Sequence, residues 1–300
     1  MKIAGNHAAL VLFSCLAAWT VPAAAQDDPG DIVVQGAIEG EAAQVRDLAR
    51  QVTGEVSAET PATRYFDALC LAVSGLNNAG NVYVANRIRD NARSIGLQVQ
   101  GEGCRVNAQV LVHDDIPALY DRIRQDRPAM IADDEQVKVE AAVARGDDIV
   151  VWHNQEDRNL GGRRIGYSQS VPGMVGSTTG LNVTARVNSN NWPSRTELSS
   201  SRGVVSAAVL LDAQIIEGME IDRLADYATM RLLAPNLLPA RRTGEGEGPQ
   251  SVTIGFPEEG GPVVLTRFDR AYLTALYEMR PNAPSTRLAA AVAREYAGEE

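Results

Sequence analysis

Val204–Pro235, VVSAAVLLDAQIIEGMEIDRLADYATMRLLAP, is the stretch on which the fold turns. Val204–Leu211 is apolar at every position but Ser206, enough for a central, buried strand. Asp212–Gly218 turns the chain. Ile221–Leu233 then places Leu224, Ala225, Ala228, Leu232 and Leu233 at helical intervals, and Pro235 ends the helix.

Working outward, Ser251–Phe256 is expected to form a short strand, and Arg270–Glu278 a strong helix with Thr266 as its N-cap. Arg287–Tyr296 continues as a terminal helix. On the N-terminal side, Asp148–His153 (DIVVWH) reads as a strand and Asp133–Arg145 as a charged helix stopped by Gly146. Asn154–Gly180, rich in Gly, Ser, Asn and Arg, is expected to be a long loop or irregular hairpin. Leu181–Arg186 follows as a short strand, and Asn182-Val183-Thr184 fits a glycosylation sequon.

From Arg64 to Ile131 the spacing predicts a helix, a strand and a helix. Asn81–Ile95 carries Val84, Ile88 and Ala92 on one face and stops at Gly96. Arg105–His113 alternates as a strand. Asp114 or Asp115 then caps a helix with Pro117 in its first turn. Further upstream, Glu41–Gln51 has helical spacing, Ile32-Val33-Val34 is a β-prone run for an edge strand or loose tail, and Thr53–Pro61 is a linker.

The first 25 residues belong to none of this. Lys2, the apolar run Ala8–Phe13 and the small-residue end Pro22–Ala25 match a secretory signal, with the mature chain starting near Gln26 and lipidation at Cys15 as the alternative. Export makes Cys70 and Cys104, the two remaining cysteines, a disulfide pair. The expected location is the periplasm or outside the cell, with no integral membrane segment after cleavage. Of the 28 basic residues Lys2 leaves with the signal, so 27 basic against 38 acidic residues give a formal charge of −11. That balance repels phosphate backbones and argues against nucleic acid as a partner. An envelope protein or a small molecule fits better. With 45% hydrophobic and 22% charged residues in 300, the chain has the composition of a globular protein.

The strand, the helix and the later segment Leu265–Tyr277 (LTRFDRAYLTALY) together resemble a family of exported bacterial proteins whose C-terminal half is similar to zincin-type metallopeptidases. The likeness covers Val204–Pro284. Arg64–Asp115, with FDALC, NRIRDNA and GC-x-x-N, is similar to exported proteins of unknown function. The resemblance implies an α+β fold with a mixed sheet and packed helices. Residues 26–60 would be a leader and linker, 61–153 a disulfide-tied αβ region, and 154–300 a zincin-like region.

It also implies where a metal would sit, because two ligands at i and i+4 share one helical face while the residue after the first activates a bound water. Here those positions hold Asp226, Tyr227 and Met230. Asp226 is a metal candidate; Tyr227 cannot replace a carboxylate base, and a thioether suits zinc poorly. His113 and His153 are the other metal candidates, each ending an expected strand beside acidic residues, so that adjacent strands would bring them together.

No catalytic residue and no cofactor is expected. Gly166–Ser170 and Pro172–Ser177 lack a G-x-S-x-G elbow, and Gly161-Gly162 and Gly244–Gly248 lack phosphate-loop spacing. The reading is a non-catalytic binding or structural protein on a degenerate metallopeptidase-like scaffold; the alternative is a metal-dependent hydrolase of the cell envelope. Arg267, Asp269 and Arg270 are expected to tie the last strong helix to the Asp226 helix by a salt bridge.

Overall fold

The computed structural model describes residues 29–165, 198–238, 248–258 and 260–298, with backbone alone for 29–39. The chain divides into one unit ending at Ala37 and a second beginning at Ile38. In the first, the described part is a helical start; the features below belong to the second.

The elements run α1 (Pro29–Val52), β1 (Leu71–Ser74), α2 (Asn78–Ser94), β2 (Ala108–His113), α3 (Ile116–Asp126), α4 (Asp133–Arg145), β3 (Ile149–Arg158), β4 (Ser201–Asp212), α5 (Ile221–Leu233), α6 (Arg267–Glu278) and α7 (Leu288–Gly298). One mixed sheet in the order β1-β2-β4-β3 organises them. β1, β2 and β4 are parallel, and β3 runs antiparallel along β4. The apolar stretch of β4 is therefore an interior strand, and the residues on either side of position 153 contribute to the same sheet.

β4 sorts its side chains by alternation. Val204, Ala207, Val209 and Leu211 enter the larger core, which α1, α2, α5, α6 and α7 supply with residues such as Val45, Ile88, Met230, Leu273 and Val292. Ala208 and Leu210 face the other way, onto Tyr120 and Ile123 of α3, Val139 of α4, and Val150 and Trp152 of β3. A strand with helices on both faces has no solvent side, which is why its sequence shows no polar alternation.

Helix ends follow capping chemistry. Asn77 accepts from Gly80 N at the start of α2, Asp115 from Ala118 N at the start of α3, and Thr266 forms a reciprocal capping box with Asp269 at α6. Gly146 closes α4 in the left-handed region, at φ 74°. Arg64 donates to Leu276 O and Met279 O, placing a cation against the C-terminal carbonyls of α6. Burial lowers that guanidinium to about 10.

The Cys70–Cys104 disulfide is present, its Cα atoms 5.9 Å apart, and joins the entry of β1 to the loop before β2. Among the described residues no helix is long and apolar enough to cross a membrane.

Several elements depart from the sequence expectations. Ile32–Val34 is helical, within α1, rather than an edge strand. β-branched residues favour a strand only where a partner strand exists, whereas a helix already nucleated at 41–52 extends backward cheaply. β1 carries no strand signal in the sequence, because four residues are too few to show a period. β2 starts at Ala108, and Val106, expected within it, is exposed. β3 runs on to Arg158, so Asn154–Arg158 is strand and not loop. Ser251–Phe256 forms turns, its Ser251 and Val252 held by the Asp269 carboxylate instead of a neighbouring strand. The signal segment, Leu181–Arg186 and the sequon at 182–184 lie outside the described residues.

Candidate functional site

Asp226 sits at the centre of a polar ladder between α2 and α5. Its Oδ1 accepts from Arg87 Nε at 2.7 Å and Asn91 Nδ2 at 2.8 Å. Its Oδ2 accepts from Arg87 Nη2 and from Leu265 N, both at 2.7 Å. Asn91 also donates to Thr229 Oγ1, Arg87 Nη1 lies 3.3 Å from Asp222 Oδ1, and Tyr83 donates to Asp222. Tyr83, Arg87 and Asn91 recur every four residues on α2, and Asp222, Asp226 and Thr229 answer them on α5, so each helix offers one polar stripe to the other. The hydrogen bond to Asp226 holds Arg87 above the usual guanidinium range. The spacing is visible in the sequence, but the pairing of the two stripes depends on α2 and α5 lying side by side, which neither helix shows alone.

With 1% of its side chain exposed, Asp226 accepts a forked arginine, an amide and a backbone N–H, which together fill the acceptor directions of a carboxylate. Tyr227 stacks on Phe256, with ring centroids 3.6 Å apart and planes 9° from parallel. Met230 is wholly buried in the larger core. These three positions do not fit a zinc ion: the carboxylate is committed, the tyrosine is stacked, and the thioether belongs to the core.

The two histidines are far apart. His113 registers with Asp212, and His153 with Ala207, five positions along β4, so β4 itself lies between them. At strand spacings that is ~16 Å along the sheet and ~10 Å across it. They also face opposite ways: His113 lies on the Leu111 side, and His153 on the Ala207 side. His113 Nδ1 accepts from Asp115 N at the start of α3. His153 is buried, with Nε2 3.3 Å from Leu232 O, where the ring donates to the end of α5. Burial first, and then the charge of Arg231, lowers it to about 4, so it is neutral at ordinary pH. Among the described residues no three His, Cys, Asp or Glu side chains converge as metal ligands.

Arg267, Asp269 and Arg270 do not bridge to Asp226 by a salt bridge. Arg270 donates to Leu265 O, and Arg267 to Tyr296 O. Asp269 is buried and accepts from Ser251 Oγ, Val252 N and Thr266 N. Burial raises its pKa, and those donors oppose the rise. The join between α5 and the start of α6 is the Leu265 N–H on Asp226, a backbone contact that residue type does not reveal.

A second ionic cluster closes the far end of β3. Arg158, 1% exposed, forks onto Asp67, donates to Gly162 O and lies 2.8 Å from Glu156; Arg164 reaches Asp67 at 2.9 Å. The Arg158 guanidinium lies over Gly203, where a Cβ would stand 2.3 Å from Nε. Glycine at 203 leaves room for this arginine.

A polar cleft of about 440 Å³ opens beside that cluster. Glu55–Thr63 forms one wall, and the first turns of α4, with Asp134, Glu135 and Lys138, another. Gln155 of β3 and Arg202 of β4 form its floor, with Asn236 and Ser285 at the margin. A register shift between Asn154 and Gln155 sets this floor. Asn154 anchors the shift: it donates to Ser206 Oγ and Met130 O and accepts from Ala132 N, directly before α4. Such bulges re-aim the side chains beside them. The cleft is not legible in the sequence, since it gathers residues from six separate segments.

Comparison of the chain with models of protein families, with curated proteins and with solved structures yields no match in any of the three.

Proposed function

We propose that this is an exported protein of the periplasm or the extracellular space that binds a partner without catalysing its conversion. On this reading the strand and helix that resemble a metallopeptidase are a scaffold without the ligands. The observation that carries it is the Asp226 carboxylate, all of whose acceptor directions go to Arg87, Asn91 and Leu265 N. A ligand or general base must present a free lone pair to a metal or a substrate, and Asp226 has none to offer. Export is supported by the Cys70–Cys104 disulfide, a bond that persists in oxidising compartments.

The partner is a small molecule held in the polar cleft, whose volume falls within the range of about 300–1,000 Å³ usual for ligand pockets. Metal analysis of the purified exported protein, with thermal melts before and after chelation, tests the reading. Less than stoichiometric zinc and an unchanged melt are expected. Stoichiometric zinc that disappears in Asp226→Asn would overturn it in favour of a metal-dependent hydrolase.

A further inference from the structure

The chemistry of the cleft narrows the class of molecule it takes. None of its lining residues is aromatic, so it has no stacking platform for a nucleobase or sugar ring. Glu55, Asp134 and Glu135 put three carboxylates on the walls, which repels polyanions such as nucleotides, and the remaining lining is too polar for an apolar guest. Lys138 and Arg202 add positive charge on the α4 wall and the floor.

Glu135 is the unusual member. Its side chain is 10% exposed, yet its one ion pair is with Lys138 at 2.8 Å, whose side chain is 73% exposed. Among the described residues no other hydrogen bond reaches its carboxylate. A carboxylate in the cleft lining whose ion pair is with one solvated lysine, and whose remaining exposure is small, keeps acceptor capacity that a ligand ammonium can reach from the cleft. Arg202 is the converse. It meets Asp157 at 3.4 Å, with both side chains about half exposed, a loose surface pair that an incoming carboxylate can displace.

We infer that the cleft binds a small zwitterion, an α-amino acid or dipeptide, with Glu135 receiving its ammonium group and Arg202 its carboxylate. The inference rests on the binding reading above and adds to it the class of ligand. Nothing in it involves bond breaking.

Isothermal titration of the purified protein with L-alanyl-L-alanine, its N-acetyl derivative and its C-terminal amide tests it. Saturable binding of the dipeptide is expected, weakened about tenfold or more by either blocking group. Glu135→Gln should weaken the dipeptide to a similar degree and become insensitive to acetylation; Arg202→Gln should become insensitive to amidation. Arg202→Gln alters a half-exposed side chain and keeps the test decisive if Glu135→Gln fails to fold. No saturable heat with the dipeptide or free alanine at millimolar concentration, or affinity indifferent to whichever variants fold, would overturn the inference while leaving the non-catalytic reading intact. Proton NMR of the same mixtures separates the two: release of free alanine, sensitive to the same variants, would sink the non-catalytic reading and leave the site standing.

Discussion

Replacing Asp226 with alanine separates a structural carboxylate from a chemical one. The substitution removes the acceptor of four hydrogen bonds at once. Asn91 keeps Thr229 as a partner, and Arg87, with 27% of its side chain exposed, keeps Asp222 at 3.3 Å and some access to water. The penalty for orphaning a buried charge, ~3–5 kcal/mol, therefore falls toward its lower end. The Leu265 N–H has no such relief and adds about 1 kcal/mol. A loss of roughly 3–4 kcal/mol follows, a large part of the ~5–15 kcal/mol that holds an ordinary domain folded. Urea denaturation followed by the fluorescence of buried Trp152 measures it. Arg87→Ala and the double variant complete a cycle whose coupling should reach about 1–3 kcal/mol, because each single change strands the other member of the same pair. Residues kept for chemistry commonly behave otherwise, since removing them often leaves stability unchanged or raised. A loss under about 1 kcal/mol, or strict additivity with Arg87→Ala, would refute the structural assignment of Asp226.

Three further outcomes are expected. His153 has a folded pKa of about 4 against 6.5 unfolded, so between those values the unfolded chain binds the proton and the native one does not. Stability supplied by the neutral ring is present above pH 6.5 and declines, by on the order of 3 kcal/mol, as pH falls toward 4; His153→Gln should show a visibly flatter urea midpoint over that window, and parallel pH profiles would dismiss the argument. Gly203→Ala should destabilise by about 2 kcal/mol or more in thermal melts, because the added Cβ meets Arg158 Nε at 2.3 Å; a melt equal to that of the parent protein would show that Arg158 moves aside freely. Reduction should raise the intact mass by two hydrogen atoms and lower stability by ~3–4 kcal/mol for a loop of 34 residues; two free thiols in the protein purified without reductant would refute the disulfide.

Periodicity and capping chemistry made the helices of this fold legible. Ile221–Leu233 was read to its exact bounds, and Thr266, Asp115 and Gly146 punctuate their helices as expected, because a cap acts within four residues and leaves its signal in the local sequence. What the sequence withheld is whatever depends on pairing across distance. β1 is four residues long and gains its identity only by lying parallel to β2. Ser251 and Val252 look like strand residues, yet their partner is the carboxylate of Asp269.

The same limit explains the reading of the candidate site. Asp226 attracted attention as an acid on an apolar helix, which is correct as far as a single helix goes. Its meaning changes once α2 brings Arg87 and Asn91 against it, because a lone pair can serve either a fold or a substrate, and here the fold has taken all of them. The group with capacity to spare is Glu135, inconspicuous in the sequence as one of three acids opening a charged helix. Asp133 and Asp134 in that turn are exposed, whereas Glu135 is buried and lines the cleft. Binding capacity therefore lies away from the apolar centre of the C-terminal half, in the polar cleft where the Glu135 carboxylate is held by a single solvated lysine.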